Sequence, residues 1–182
     1  MQLAVDHDTN VIGAAALMLA DRLRAAVEPV TGTRGASAAA LTALLGWADG
    51  ASIDALSAGL RLSHSRAVRV VDQLVREGHA VRRTSEADAR VALVHLTGSG
   101  RAVAERVLAA RAEVLAEALS DLGVRERRAL ARASESLLLE AAVSRAEARA
   151  ICRYCDVEAC GHHDGRCPST RGADAREAPD GS

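Results

Sequence analysis

The residues best equipped for chemistry lie near the end of the chain. The segment CRYCDVEACGHHDGRCP holds all four cysteines, Cys152, Cys155, Cys160 and Cys167, with His162 and His163 in the last gap. Four thiolates within 16 residues can close around one tetrahedral Zn²⁺, which takes Cys and His ligands. The Cys152-x2-Cys155 pair puts two sulfurs on one side, and Gly161 and Gly165 let the chain fold back. The same thiolates can hold an iron–sulfur cluster, and an ending such as Cys167-Pro168 occurs in some ferredoxin runs. A metal-free thiol switch is a third chemistry, with Arg153, Arg166, His162 and His163 near enough in sequence to lower a thiol pKa. Incidental cysteines on a loose tail are the plain alternative. Zinc is the first expectation and an iron–sulfur cluster the second.

A second set of residues is cationic. Between Arg61 and Arg90 there are seven Arg against four acids, a local +3 in a chain of net charge −1. Any contact with a phosphate backbone must come from such clustering. Within it, His64, Ser65, Arg66, Arg69 and Gln73 lie opposite an apolar stripe of Ala67, Val68, Val71, Leu74 and Val75. Arg reads guanine in bidentate fashion, Gln reads adenine, and Ser and His reach bases or phosphates. A solvated helix face with ordinary surface Arg is the plainer account of the helix taken alone. All 23 basic residues are Arg. The absence of Lys excludes Schiff-base chemistry and a P-loop lysine. No nucleophile elbow, Gly-rich phosphate loop or H-E-x-x-H is present, so enzyme activity is not expected.

These residues must be positioned by helices. Of 182 residues, 40 are Ala; Phe is absent, and the only Trp and Tyr are Trp47 and Tyr154. Ala and Leu favour helix, whereas strands prefer aromatic and β-branched residues. A first helix is expected from about Thr9 to Val27, ended by Pro29 and Gly32. Ser37, Ser52 and Ser63 are candidate N-caps for three short helices, the third running to Glu77 and stopped by Gly78. Two extended runs, His79 to Arg83 and Val91 to Leu96, form a hairpin. A long helix follows to about Leu119, and Gly123 separates it from a last helix over about Arg125 to Arg149, expected to bury Leu130, Ala133, Leu137, Leu138 and Ala141. The fold expected is mainly α with a small β-hairpin wing: a winged helix-turn-helix domain plus a helical dimerisation domain. The boundaries are residues 1–36 for an N-terminal dimerisation helix and linker, 37–100 for the winged domain, and 101–150 for C-terminal dimerisation helices. Residues 151–168 form the cysteine cluster and 169–182 a disordered tail. No long apolar run marks a membrane span, and the acidic N-terminus does not read as a secretory signal, so a cytoplasmic location is expected.

The stretch SIDALSAGLRLSHSRAVRVVDQLVREGHAVRR (Ser52 to Arg83), followed by DARVALVHLTGSG (Asp88 to Gly100), resembles the MarR family of winged-helix transcription factors. Asp88, Arg90, Leu96, Thr97 and Gly100 stand at the spacing of that family's wing. The resemblance covers about residues 9–150; His79-Ala80 departs from it, where the family has a larger apolar residue. It implies that Arg90 enters a minor groove with Asp88 holding it, and that Ser63, His64, Ser65, Arg66, Arg69 and Gln73 face the major groove of double-stranded DNA. It also implies a homodimer with two recognition helices roughly 34 Å apart on a near-palindrome, and by family habit a repressor. A small-molecule or redox effector is expected, and the scarcity of aromatics disfavours a stacking pocket. The cysteine cluster lies outside the common family pattern. The competing expectation is a metal- or thiol-based protein-interaction module with incidental DNA binding.

Overall fold

The computed structural model describes residues 6–31 and 36–177. Its elements are α1 (His7–Thr31), α2 (Ala36–Gly46), β1 (Ala51–Ser52), α3 (Ile53–Leu60), α4 (His64–Arg76), β2 (Ala80–Thr84), β3 (Ala92–Leu96), α5 (Gly98–Ala118), α6 (Val124–Ala141), α7 (Arg145–Ile151), α8 (Val157–Cys160) and α9 (Pro168–Glu177). The architecture is the expected one, mainly helical with a small antiparallel sheet.

The core forms around α2. Its residues Ser37 to Leu44 are all buried, because an Ala/Leu helix with no charge can be covered on every side. Leu41, Leu44, Leu56, Val71, Leu74 and Val94 are each at most 1% exposed. Burying one Leu side chain contributes about 1.5–3 kcal/mol, so this small cluster is the main source of stability. α2 touches α1, α3, α4, α5 and β3, and α1 lies along α5.

The sheet has the order β1-β3-β2 and is antiparallel throughout. β2 and β3 are the expected hairpin, paired from Ala80–Leu96 to Thr84–Ala92. β1 is only two residues long, too short for an alternation pattern, and pairs Ala51 with Val94 and Ser52 with Leu93. Thr97 joins wing to α5: its hydroxyl donates to the Gly78 carbonyl at 2.7 Å and accepts from the Gly100 amide at 3.0 Å.

Several expectations are corrected. α1 runs through Pro29 to Thr31, because a proline in the last turn removes only one helical hydrogen bond; Gly32 lies outside the described residues. Ser37 is inside α2, 2% exposed, rather than at its cap. On α4 the buried set is Ala67, Val70, Val71 and Leu74, whereas Val75 is 36% exposed. The single helix expected over Arg125–Arg149 is two. α6 ends at Ala141, and Ser144 caps α7 by accepting from the Glu147 amide at 3.2 Å. No residue of α6 is buried within the chain, although periodicity turns Leu130, Ala133, Leu137, Leu138 and Ala141 to one face.

The tail expected to be disordered over 169–182 contains α9 as far as Glu177; residues 178–182 lie outside the described residues. α9 packs on α6, with Gly172 and Ala173 buried. Arg176 donates to the Leu139 carbonyl at 3.0 Å and pairs with Glu140 at 2.8 Å. Polar composition misled here, because the contact rests on a missing side chain: a Cβ on Gly172 would overlap the Leu139 carbonyl. Gly172→Ala is therefore expected to destabilise the fold by about 1–3 kcal/mol, whereas Gly13→Ala, whose Cβ meets nothing within 4 Å, does not. Thermal denaturation of the two variants checks this.

Candidate nucleic-acid interface and cysteine module

α3 and α4 form the helix-turn-helix. Ser52 caps α3, accepting from the Ala55 amide at 3.2 Å, and Ser63 caps α4, accepting from the Arg66 amide at 3.3 Å. The turn between them is closed by Arg61 in the left-handed region, φ 51°, and by Ser57, whose hydroxyl donates to the Leu62 carbonyl at 2.7 Å. These caps leave the first turn of α4 exposed and fixed in direction.

Ser63, His64, Ser65, Arg66 and Arg69 are all exposed there. Arg66 and Arg69 make no ion pair among the described residues, so their guanidinium donors are available. His64 is turned to Asp54, Nδ1 to Oδ1 2.7 Å, and Ser63 and Ser65 share a hydrogen bond at 3.3 Å. Gln73 donates to Glu77 at 2.9 Å. At the wing tip Asp88 accepts from the Arg90 backbone amide at 2.9 Å. Asp88 thus shapes the turn, while the Arg90 side chain is exposed without an ion pair among the described residues. Arg83, on β2, is also exposed and unpaired among the described residues, and it was not singled out from the sequence. Strand alternation from Val81 was the available signal. Its neighbour Arg82 pairs with Asp72 at 2.7 Å and ties wing to α4.

The four cysteines come together. All four are free of disulfides and border one cavity of about 110 Å³, with Trp47, Arg145, Arg149 and His162 also in its wall. Gly161 and Gly165, at φ 68° and 70°, make the turn that returns Cys167 to Cys160. Cys152 donates a hydrogen bond to Cys155, which lowers the Cys155 pKa, with Arg111 helping, and raises that of Cys152. Burial, then a hydrogen bond with Cys167, pushes Cys160 up to about 11. Among the described residues, no three His, Cys, Asp or Glu side chains stand in the arrangement of metal ligands. His163 is exposed and near Glu158, 3.4 Å, and His162 bonds Thr170 at 3.2 Å.

No family model and no curated protein matches the sequence. Solved structures do. The wild-type apo MarR of E. coli is 20% identical, with a TM-score of 0.63 over 75% of this chain and 99% of that one. CouR from Rhodococcus jostii RHA1, bound to p-coumaroyl-CoA, is 22% identical, with a TM-score of 0.56 over 75% and 95%. A point mutant of S. aureus MepR, bound to an oligodeoxyribonucleotide, is 16% identical, with a TM-score of 0.57 over 74% and 97%. The fold is that of the MarR regulators.

On this MarR-type frame the cysteine module sits against the winged domain. Thr42 of α2 donates to the Arg153 carbonyl at 2.5 Å. Arg149 lies over the Trp47 ring at 5.2 Å, and Arg61 in the helix-turn-helix turn pairs with Glu147 at 3.0 Å. Sequence order alone placed the cluster after the helices expected to dimerise and gave no sign of this seat. In metal-free protein, thiolate absorbance is expected to show one group ionising below the usual thiol range. Cys155→Ser should abolish that first step; its loss in Cys160→Ser instead would show the hydrogen bonds to be wrongly assigned.

Proposed function

We propose that this chain is a sequence-specific DNA-binding transcriptional regulator that acts as a homodimer on a near-palindromic operator in the cytoplasm. The observation that carries the proposal is the capped, exposed start of α4, with Arg66 and Arg69 unpaired among the described residues, beside a wing whose Arg90 is equally unpaired. Such groups suit base edges in a major groove and the negative potential of a minor groove. The MepR structure bound to an oligodeoxyribonucleotide shares the fold and supports the same use. Repression is the sign suggested by the family resemblance. The cysteine module is proposed as the metal- or redox-responsive input, the p-coumaroyl-CoA bound to CouR being a small-molecule counterpart.

The homodimer has its own support. α1 leaves Val11, Ile12, Leu17 and Met18 at 42–68% exposed, and α6 leaves Leu130 and Leu137 at 46% and 66%. Apolar side chains in such number on two helices mark an association surface. A second copy of the chain is the occupant proposed, since the two arms flank the winged domain in sequence. No helix among the described residues is long and apolar enough to cross a membrane.

Binding to the chain's own promoter DNA tests the proposal. Arg66→Ala or Arg69→Ala is expected to cost about 1–3 kcal/mol where a bidentate base contact is lost. Arg90→Ala should weaken binding and flatten its salt dependence. Unchanged affinity in all three variants would exclude this interface. Sedimentation should give a dimer for the wild type and a monomer for the double variant Ile12→Glu, Leu137→Glu.

A further inference from the structure

We propose that Cys152, Cys155, Cys160 and Cys167 bind a single tetrahedral divalent ion of the zinc type through four thiolates, and that the loaded site braces the helix-turn-helix. The first part stands on the geometry of the module. The second deepens the sensing function proposed above and rests on it.

Four sulfurs border one cavity although they come from three different local structures. Cys152 ends α7, and its carbonyl accepts from the Cys155 amide at 2.9 Å, so the first pair is set by one turn. Cys160 ends α8, where Gly161 takes the left-handed conformation. The Gly161 carbonyl then accepts from Asp164 at 3.2 Å and Arg166 at 2.9 Å, a tight return that brings Cys167 back. Two segments thus each bring two cysteines to the wall of one cavity, which is the donor set of a structural four-thiolate site.

A second observation points to a ligand. Ser169 is fully buried, and its hydroxyl has no hydrogen-bond partner among the described residues. It lies beside Cys152. A metal-bound thiolate is a strong acceptor and would satisfy this hydroxyl, as outer-shell donors do in metal sites. The charge also fits. One divalent ion with four thiolates carries −2, and Arg145 and Arg149 stand in the cavity wall with Arg111 close to Cys155 and Cys160.

Size selects the single ion. Cys152 lies beside Cys155 and Cys167, and Cys160 beside Cys167. With Zn–S bonds of about 2.3 Å, the edge of a tetrahedron is about 3.8 Å, close to thiol–thiol hydrogen-bond reach. A four-iron cube would hold its thiolates farther apart. The present arrangement is thiol-to-thiol rather than ligating. Loading replaces four S–H bonds by four sulfur–metal bonds, releases four protons and transfers no electron.

The brace follows from the contacts. Val157 lies so close to Gly46 that a Cβ there would meet it at 2.9 Å, and Gly59 of α3 is similarly covered by Trp47 at 2.6 Å. Arg149 holds that Trp47 ring, and Glu147 holds Arg61. Fixing Cys152 therefore fixes the end of α7 against the turn that aims α4.

The test uses the full chain, reduced, stripped with a chelator and titrated with Co²⁺. One Co²⁺ per chain is expected, with intense sulfur-to-metal charge-transfer bands and the visible bands of tetrahedral sulfur coordination, displaced by Zn²⁺ with four protons released per ion. Cys167→Ser should lose the four-sulfur spectrum. Ser169→Ala should keep the stoichiometry and bind roughly 10-fold more weakly. Octahedral or absent Co²⁺ bands, or iron with matching sulfide in anaerobically purified protein, would overturn the site. Operator affinity measured on the same loaded and stripped samples tests the brace separately. Loading that raises affinity supports it, whereas equal affinity with an intact Co²⁺ spectrum would leave a metal site without the sensing role.

Discussion

Helix α2 is apolar on every side, and the rest of the molecule is arranged to keep it dry. Its Leu41 and Leu44 meet Leu56 of α3, Val71 and Leu74 of α4, Val94 of β3 and Val103 of α5 in one cluster. Only Thr42 brings a polar group into this helix's buried stretch beside Ser37, and its hydroxyl is satisfied by the Ala38 and Arg153 carbonyls. Because α2 has no wet face, the winged domain, the long α5 and the cysteine module must each cover one side of it. That single requirement couples parts of the chain more than 100 residues apart.

Polarity divides the surface accordingly. Among the described residues Arg66, Arg69, Arg83 and Arg90 of α4 and the wing make no ion pair, whereas Arg82 and Arg61 are drawn into pairs that hold elements together. The same residue type thus serves two purposes, and the difference is whether an acid lies within reach. α1 and α6 show the opposite imbalance, with bare Leu, Ile and Val on faces that the single chain leaves uncovered. The covered winged domain thus contrasts with the two arms proposed to associate with a second copy.

The cysteine module shows how a small segment can be made rigid without a large core. It has short helices, two left-handed glycines and few apolar side chains, so its order depends on polar contacts. α9 adds a lid against α6 through Gly172, held by Arg176 on Glu140 and Arg145 on Asp174. A segment stabilised in this way opens more readily than the α2 cluster does.

Local pattern was enough for much of this. Ser52 and Ser63 as caps, the hairpin from Ala80 to Leu96, the exposed start of α4 and the clustering of cysteines all depend on neighbours within a few residues, where spacing decides the geometry. Other features needed the folded chain. β1 exists only because Val94 and Leu93 come beside it; α9 exists as a packed helix only because Gly172 fits against Leu139. The apolar stripe of α6 was visible in the sequence, but periodicity says which face is apolar and not what lies opposite it. The seat of the cysteines on α2 and α3 was likewise hidden, since contacts between Thr42 and Arg153 or Arg61 and Glu147 join residues whose separation in sequence carries no pattern. Sequence by itself determined the elements and the residue types they present; the tertiary structure decided which faces meet, because burial is settled by the whole chain at once.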